Sequence, residues 1–288
     1  MTWLPWLFLV LCLLALAAVG LCAYGARRWA EATQMLVGKL EAARVDGMAW
    51  PRRYHSHELE GLPAPVQRYF LAVLKEGQPV ISAATIDLAG TFNMSSVGEQ
   101  WKPFTSRQRV VTRRPGFVWD ARVAMMPGVP VRVVDSYIAG KGLLRAAVLG
   151  LFTAADVRGG GEIARGEFMR YFAESAWYPT ALLPSQGVRW EAVDDGSAKA
   201  TIVDGPLSLT LLFRFNEAGL MTSFLAEARA AMVGKEEVML PWEGRWSDYR
   251  SRNGALVPFA GEVAWLRPDG RKLYFVGTVT AVTHEYAP

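Results

Sequence analysis

The sequence predicts a mainly β fold with accessory helices (α+β): an N-terminal transmembrane helix, then a curved antiparallel sheet of about ten strands forming an open or half barrel with a covering helix. Three observations carry this. Residues 1–26 contain no Asp, Glu, Lys or Arg, so all charge lies in the rest of the 288 residues. After Ser82 the apolar spacing changes from helical to a period of two. Asp195-Gly196, Asn253-Gly254 and Asp269-Gly270 punctuate the alternating runs, and such pairs favour hairpin turns.

From Trp3 to Gly25 the chain is almost wholly apolar. As a helix this stretch reaches about 34 Å, enough for a hydrocarbon core of roughly 30 Å. Trp3, Trp6, Tyr24 and Trp29 bracket it as interfacial aromatics do. A cleaved signal peptide is the competing reading, with Ala23-Tyr24-Gly25 as a tolerable cleavage site, but no basic region precedes the apolar run. The expectation is an uncleaved single-pass anchor over residues 1–28, in contact with the bilayer through residues 3–25. Arg27, Arg28, Lys39 and Arg44 follow the span, which by the positive-inside rule favours a cytoplasmic domain. Glu31 and Glu41 dilute that cluster, and the side of the membrane stays open. Both cysteines, Cys12 and Cys22, lie within the apolar segment, so the remainder has no disulfide or thiol chemistry.

Residues 29–60 are expected to form a helical stalk, Trp29 to Ala49, and a polar linker begun by Pro51. A single β-rich domain, residues 61–288, follows. It opens with an amphipathic helix from Pro65 to Leu74, whose Val66, Tyr69, Phe70, Val73 and Leu74 form a buried stripe. Ile86, Leu88, Gly90, Phe92 and Met94 then alternate, as do Phe117 through Met125, Leu207 through Phe215 and Val257 through Trp265. Between the Gly159-Gly160-Gly161 triplet and Pro184, residues 162–177 return to helical spacing, so a helical insert splits the sheet in two.

Phe92, Phe117, Trp119, Trp190, Phe213, Phe224 and Trp265 fall on the apolar faces. They form either ordinary core or the wall of a site for an apolar, lipid-like ligand, with the helix Pro65 to Leu74 as its lid. The ligand-binding reading selects Phe92, Phe117, Trp119, Trp190, Phe213 and Trp265. On the insert, Glu167, Arg170 and Glu174 share one helix face, either as a surface network of ion pairs or as a polar site able to tune an acid or base. The second alternative makes the protein an enzyme. Arg107, Arg109 and Arg113 are expected on an outward strand face, with Asp120 as partner.

Other chemistries lack their residues. There is no phosphate loop, dinucleotide fingerprint or Gly-x-Ser-x-Gly elbow, so no cofactor is expected. His55 and His57 have no further ligands spaced to complete a metal shell, and His284 has no nucleophile near it in sequence. Basic residues number 31 against 27 acidic, too even a balance for a nucleic-acid partner. No residues single out a protein partner.

Several segments resemble the motifs of a bacterial family of uncharacterised membrane-associated proteins. They are Leu62-Pro63-Ala64-Pro65-Val66-Gln67-Arg68-Tyr69-Phe70, Trp101-Lys102-Pro103-Phe104, Pro115-Gly116-Phe117-Val118-Trp119, Gly166-Glu167-Phe168-Met169-Arg170-Tyr171, Trp177-Tyr178-Pro179 and Pro241-Trp242-Glu243-Gly244. The resemblance covers roughly residues 60–288 and implies a bacterial inner-membrane location but no agreed activity. In topology, a helix, a meander and a late helical excursion are similar to the half-barrels of lipoprotein carriers, which hold acyl chains.

Overall fold

The computed structural model describes residues 3–44, 51–95, 98–126, 128–234 and 236–287. Its first helix, α1 (Trp3–Ala42), runs unbroken through residue 28, where anchor was expected to give way to stalk. Residues 45–49 of the expected stalk lie outside the described residues. Between Trp6 and Ala42 there is no proline to interrupt the hydrogen-bond ladder. The two halves of α1 differ in what they meet. The apolar half has no buried residue from Trp3 to Tyr24 and is long enough to cross a membrane, whereas Trp29 and Leu40 are buried against Ala83, Val111, Val118, Val134 and Ala147 of the sheet.

A short helix α2 (Ala64–Val73) follows a 3-10 turn (Ser56–Leu59) and enters through Pro65 in its first turn. Then come six strands: β1 (Ile81–Asn93), β2 (Trp101–Val111), β3 (Gly116–Met126), β4 (Val129–Ile138), β5 (Lys141–Val148) and β6 (Phe152–Gly159). Helix α3 (Glu162–Ala173) and three 3-10 turns ending at Gln186 form the expected insert. Seven more strands complete the chain: β7 (Arg189–Asp194), β8 (Ser197–Asp204), β9 (Leu207–Phe215), β10 (Met221–Val233), β11 (Glu236–Arg252), β12 (Ala255–Arg267) and β13 (Gly270–Tyr286).

Among the described residues there are thirteen strands, not about ten, in one antiparallel sheet ordered β6-β5-β4-β3-β2-β1-β13-β12-β11-β10-β9-β8-β7. The undercount has a physical source. Strands β6 and β7 are the sheet edges, and almost every side chain on them is at least partly exposed, so they carry little alternation. Strands β4, β5 and β6 are joined through Ala139-Gly140 and Leu149-Gly150, whose residues all have positive φ but lack the Asn or Asp that advertises such turns. The three turns read from sequence do join hairpins. Only Asn253-Gly254 has both residues at positive φ, as a type I′ turn requires.

Two meanders, β1–β6 and β7–β13, are thus zipped together where the first strand pairs with the last, Ile86 opposite Val282 and Phe92 opposite Phe275. Irregular registers at Asp87/Leu88, Ala226/Arg229 and Val263/Ala264 bend the sheet into a trough. The insert crosses its concave side between the two edges. It is pinned there by Trp177 Nε1 donating to the Pro258 carbonyl (3.0 Å), Trp190 Nε1 donating to the Leu182 carbonyl (3.0 Å), and the Ile81 N–H donating to Thr180 Oγ1 (2.9 Å).

Helix α2 is not the lid. Its Tyr69 and Phe70 pack on Phe215 and Trp190, plugging the end of the trough formed by the β7–β8 and β9–β10 turns. The covering helix is α3, which lies so close over β5 that a Cβ on Gly142 would sit 2.6 Å from the Ile163 carbonyl carbon.

On the convex side Arg107 and Arg109 face outward as expected, whereas Arg113 falls in the turn after β2 with part of its guanidinium buried, and the partners differ. Asp120 accepts from Trp29 Nε1 (2.8 Å), while Arg109 pairs with Glu41 of α1 (2.7 Å) and Glu285 (2.6 Å). The helix docked on this face is what intercepts Asp120.

A buried charged cluster in an aromatic cavity

Between α3 and the concave sheet lies a cavity of about 900 Å3. Its walls are Phe92, Trp119, Phe224, Trp242, Trp246, Val263, Trp265 and Phe275 from the strands, with Trp177 from the insert. Alternation along β3, β11, β12 and β13 puts these side chains on one face. Of the six aromatic residues selected from sequence, Phe92, Trp119 and Trp265 line the cavity. Phe117, Trp190 and Phe213 do not. Phe213 is fully buried between Phe172 and Trp190 (ring centroids 5.7 and 5.5 Å), and Phe117 is sealed beneath Arg170. Period-two spacing identifies the inner face but not which part of it the insert covers.

Glu167 and Arg170 of α3, and Glu174 just past its end, line this cavity, whereas Arg165 does not. Glu167 is 4% exposed and the Arg170 and Glu174 side chains 14% and 13%, so they are not a surface network. Arg170 donates from Nε to Glu174 Oε1 (2.8 Å) and from Nη1 to Asp135 Oδ2 on β4 (2.7 Å). Its guanidinium lies 4.5 Å from the Trp119 ring centre and 5.2 Å from that of Phe117. Gln108 on β2 donates to Glu174 Oε2 (2.6 Å). A second cation, Arg229 at the β10 irregularity, lies over Trp242 (4.2 Å), whose Nε1 donates to the Tyr274 hydroxyl (2.9 Å). Asp135, Gln108 and Arg229 were not singled out from sequence. Each sits at an inward strand position where apolar residues are the rule, and a lone polar residue there was the available signal.

Charges removed from water persist only when paired, and the titrations reflect this. Burial pushes the Glu167 carboxyl up to about 8, the Asp135 charge pushes the same way, and Arg170 and Arg229 only partly oppose them. Asp135 is also raised, by burial above all, against the pull of Arg170 and Arg229. Burial alone would lower Arg170, yet Glu174, Asp135 and Glu167 together hold it above its ordinary value. Burial thus favours the neutral, protonated form of the Glu167 carboxyl. Asp135 Oδ1, Glu167 Oε2, Gln108 Oε1, Trp119 Nε1 and Trp246 Nε1 are buried without a hydrogen-bond partner. Native interiors rarely leave so many polar atoms unsatisfied in one place.

Elsewhere the sequence candidates do not converge. His55 bonds Glu76 (2.8 Å) and stacks on His57. Among the described residues no group of three or more His, Cys, Asp or Glu could hold a metal ion. His284 is buried, donates from Nε2 to the Trp177 carbonyl (2.8 Å), and its pKa is lowered by that burial.

The protein is thus an open antiparallel half-barrel whose insert helix roofs a charged, aromatic-walled cavity. It belongs to DUF6920, a family of unknown function, whose model matches residues 60–284. No curated protein matches it. Among solved structures it is similar to the LolA superfamily protein NE2245 from Nitrosomonas europaea (11% identity, TM-score 0.35, covering 79% of this chain and 96% of that one). It is also similar to a β-barrel-like protein of the domain of unknown function DUF1849 from Brucella abortus (10% identity, TM-score 0.22, covering 72% and 99%).

Proposed function

We propose that this protein is a membrane-tethered binding protein whose half-barrel holds an amphiphilic, lipid-like ligand, the apolar chain against the aromatic walls and the polar end at the Arg170 cluster. The observation that carries this reading is the cavity itself. Its volume falls within the usual range for ligand pockets of roughly 300–1,000 Å3, and it combines an aromatic lining with a few convergent polar groups. Of the cavity-lining residues, Asp135 and Glu167 each have an unpartnered oxygen and Trp119 and Trp246 an unpartnered N–H, so a ligand's polar end meets both acceptors and donors.

The tether is α1, read as a transmembrane anchor in a bacterial inner membrane. Support for its retention comes from the tolerable cleavage site at residues 23–25, which is helical and partly packed. A Cβ on Gly25 would collide with the Leu149 carbonyl oxygen. A peptidase needs an extended, accessible segment there.

Mass spectrometry of material extracted from the purified full chain tests this. The expected result is a stoichiometric lipid or fatty acid in the wild type, and its loss from Val263→Trp, which fills the cavity from an inward, partly exposed position. A wild type carrying no extractable amphiphile would refute it.

Glu167 also favours a second reading, an enzyme using that carboxyl as an acid–base group, because a carboxyl titrating near 8 inside a cavity is poised for proton transfer at neutral pH. On that reading the extract contains a substrate and its product from the wild type, and substrate alone from Glu167→Gln. Identical extracts would leave simple binding as the account.

A further inference from the structure

The anchor and the cavity mouth lie at the same end of the sheet. Helix α1 crosses the convex face from the β5–β6 turn, where Gly25 meets Leu149, to the β2–β3 turn, where Leu40 meets Gly116. Its exposed apolar half therefore projects beyond the β5–β6 turn. The antiparallel registers bring the β1–β2, β3–β4, β10–β11 and β12–β13 turns to that same end. Around it Met94, Met126, Phe152, Met232 and Val233 are exposed. Two of these, Met94 and Met232, also line the cavity, which opens there beside Lys272. A soluble surface scatters its large apolar residues singly, so their gathering at one rim marks an interaction site.

Resting on the reading of α1 as a membrane anchor, we propose that this rim is a second bilayer contact, seated in the interface so that ligand passes between membrane and cavity without crossing water. Length fixes the depth. A helix from Trp3 to Gly25 spans about 34 Å, so Gly25, and with it the turn at Leu149 that touches it, lies at headgroup level. The partner is a lipid surface, and the attraction is apolar. Among the described residues of these turns, Lys102, Arg267, Arg271 and Lys272 are balanced by Glu99, Glu236, Glu237 and Asp269, so the turns offer anionic headgroups no net charge.

The test uses the full chain, with Cys12→Ala and Cys22→Ala, reconstituted into phosphatidylcholine nanodiscs. A polarity-sensitive fluorophore is placed in turn at Leu14→Cys, Met126→Cys, Met232→Cys and Leu71→Cys, the last being an exposed site on α2 at the far end. We expect blue-shifted emission at positions 126 and 232, quenched by lipid spin-labelled near the headgroup, with the same result when anionic lipid is included. Position 71 should report water. Quenching at position 14 with water-like emission at 126 and 232 would overturn the rim contact and leave the anchor standing. Water-like emission at 14 would end the anchor reading and this inference with it.

Discussion

Arg170 is the residue on which the cavity's chemistry turns. It donates to both Asp135 and Glu174 and stacks over Trp119 and Phe117, so β3, β4 and the turn after α3 are tied to one guanidinium. Glu167, one turn earlier, is left to satisfy itself by staying protonated. A carboxyl raised from its usual 4.5 to about 8 on folding binds more protons in the native than in the unfolded state throughout that interval. Its contribution to stability is therefore complete below the unfolded value and declines as pH rises toward 8, by a few kcal/mol at most. We expect the melting temperature of the wild type to fall between pH 5 and pH 8. Glu167→Gln, which mimics the protonated acid, should melt with a shallower pH dependence across the same interval. A thermal unfolding series at those pH values checks this, and equal slopes would mean the carboxyl is not raised.

At the scale of elements, two helices define the molecule, and they were unequally legible. The insert and α2 were visible as changes of hydrophobic period, bounded by glycine and proline. The faces they present were not. Helix α2 looks like a lid because its stripe is so apolar, yet a helix that apolar is used to plug the trough, while the helix with Glu167, Arg170 and Glu174 roofs the cavity. Spacing alone cannot separate a surface ion-pair ladder from a buried one, since partners such as Asp135 and Arg229 come from strands distant in sequence.

The second half of α1 was similarly half-read. Its helicity was expected, but its packing on the sheet depends on Gly25 and on the small residues Ala83 and Ala147 beneath it. This docking gives a sharp comparison. Gly25→Leu should unseat α1 from the β5–β6 turn and cost about 1–3 kcal/mol, as overpacking does. Gly20→Leu, where nothing lies within 4 Å, should cost far less. Limited proteolysis of the two variants in detergent reads the difference, with earlier cleavage between α1 and the sheet in Gly25→Leu alone.

On the scale of the whole molecule, the strand count and the joining of the two meanders through β1 and β13 follow from tertiary pairing that no local pattern encodes. What the period-two runs do encode is a single oily face, and the insert converts part of that face from core into cavity wall. An amphiphile occupying this space in the membrane-bound protein is what the proposed function requires. The most direct measurement is site-specific photocrosslinking in native membranes, with a benzophenone side chain at Phe275, inside the cavity, or at Thr278, exposed on the convex face. We expect a covalent lipid adduct, seen as a mass increase on the β13 peptide, from position 275 and none from 278. Equal labelling at the two positions, or none at 275, would contradict it.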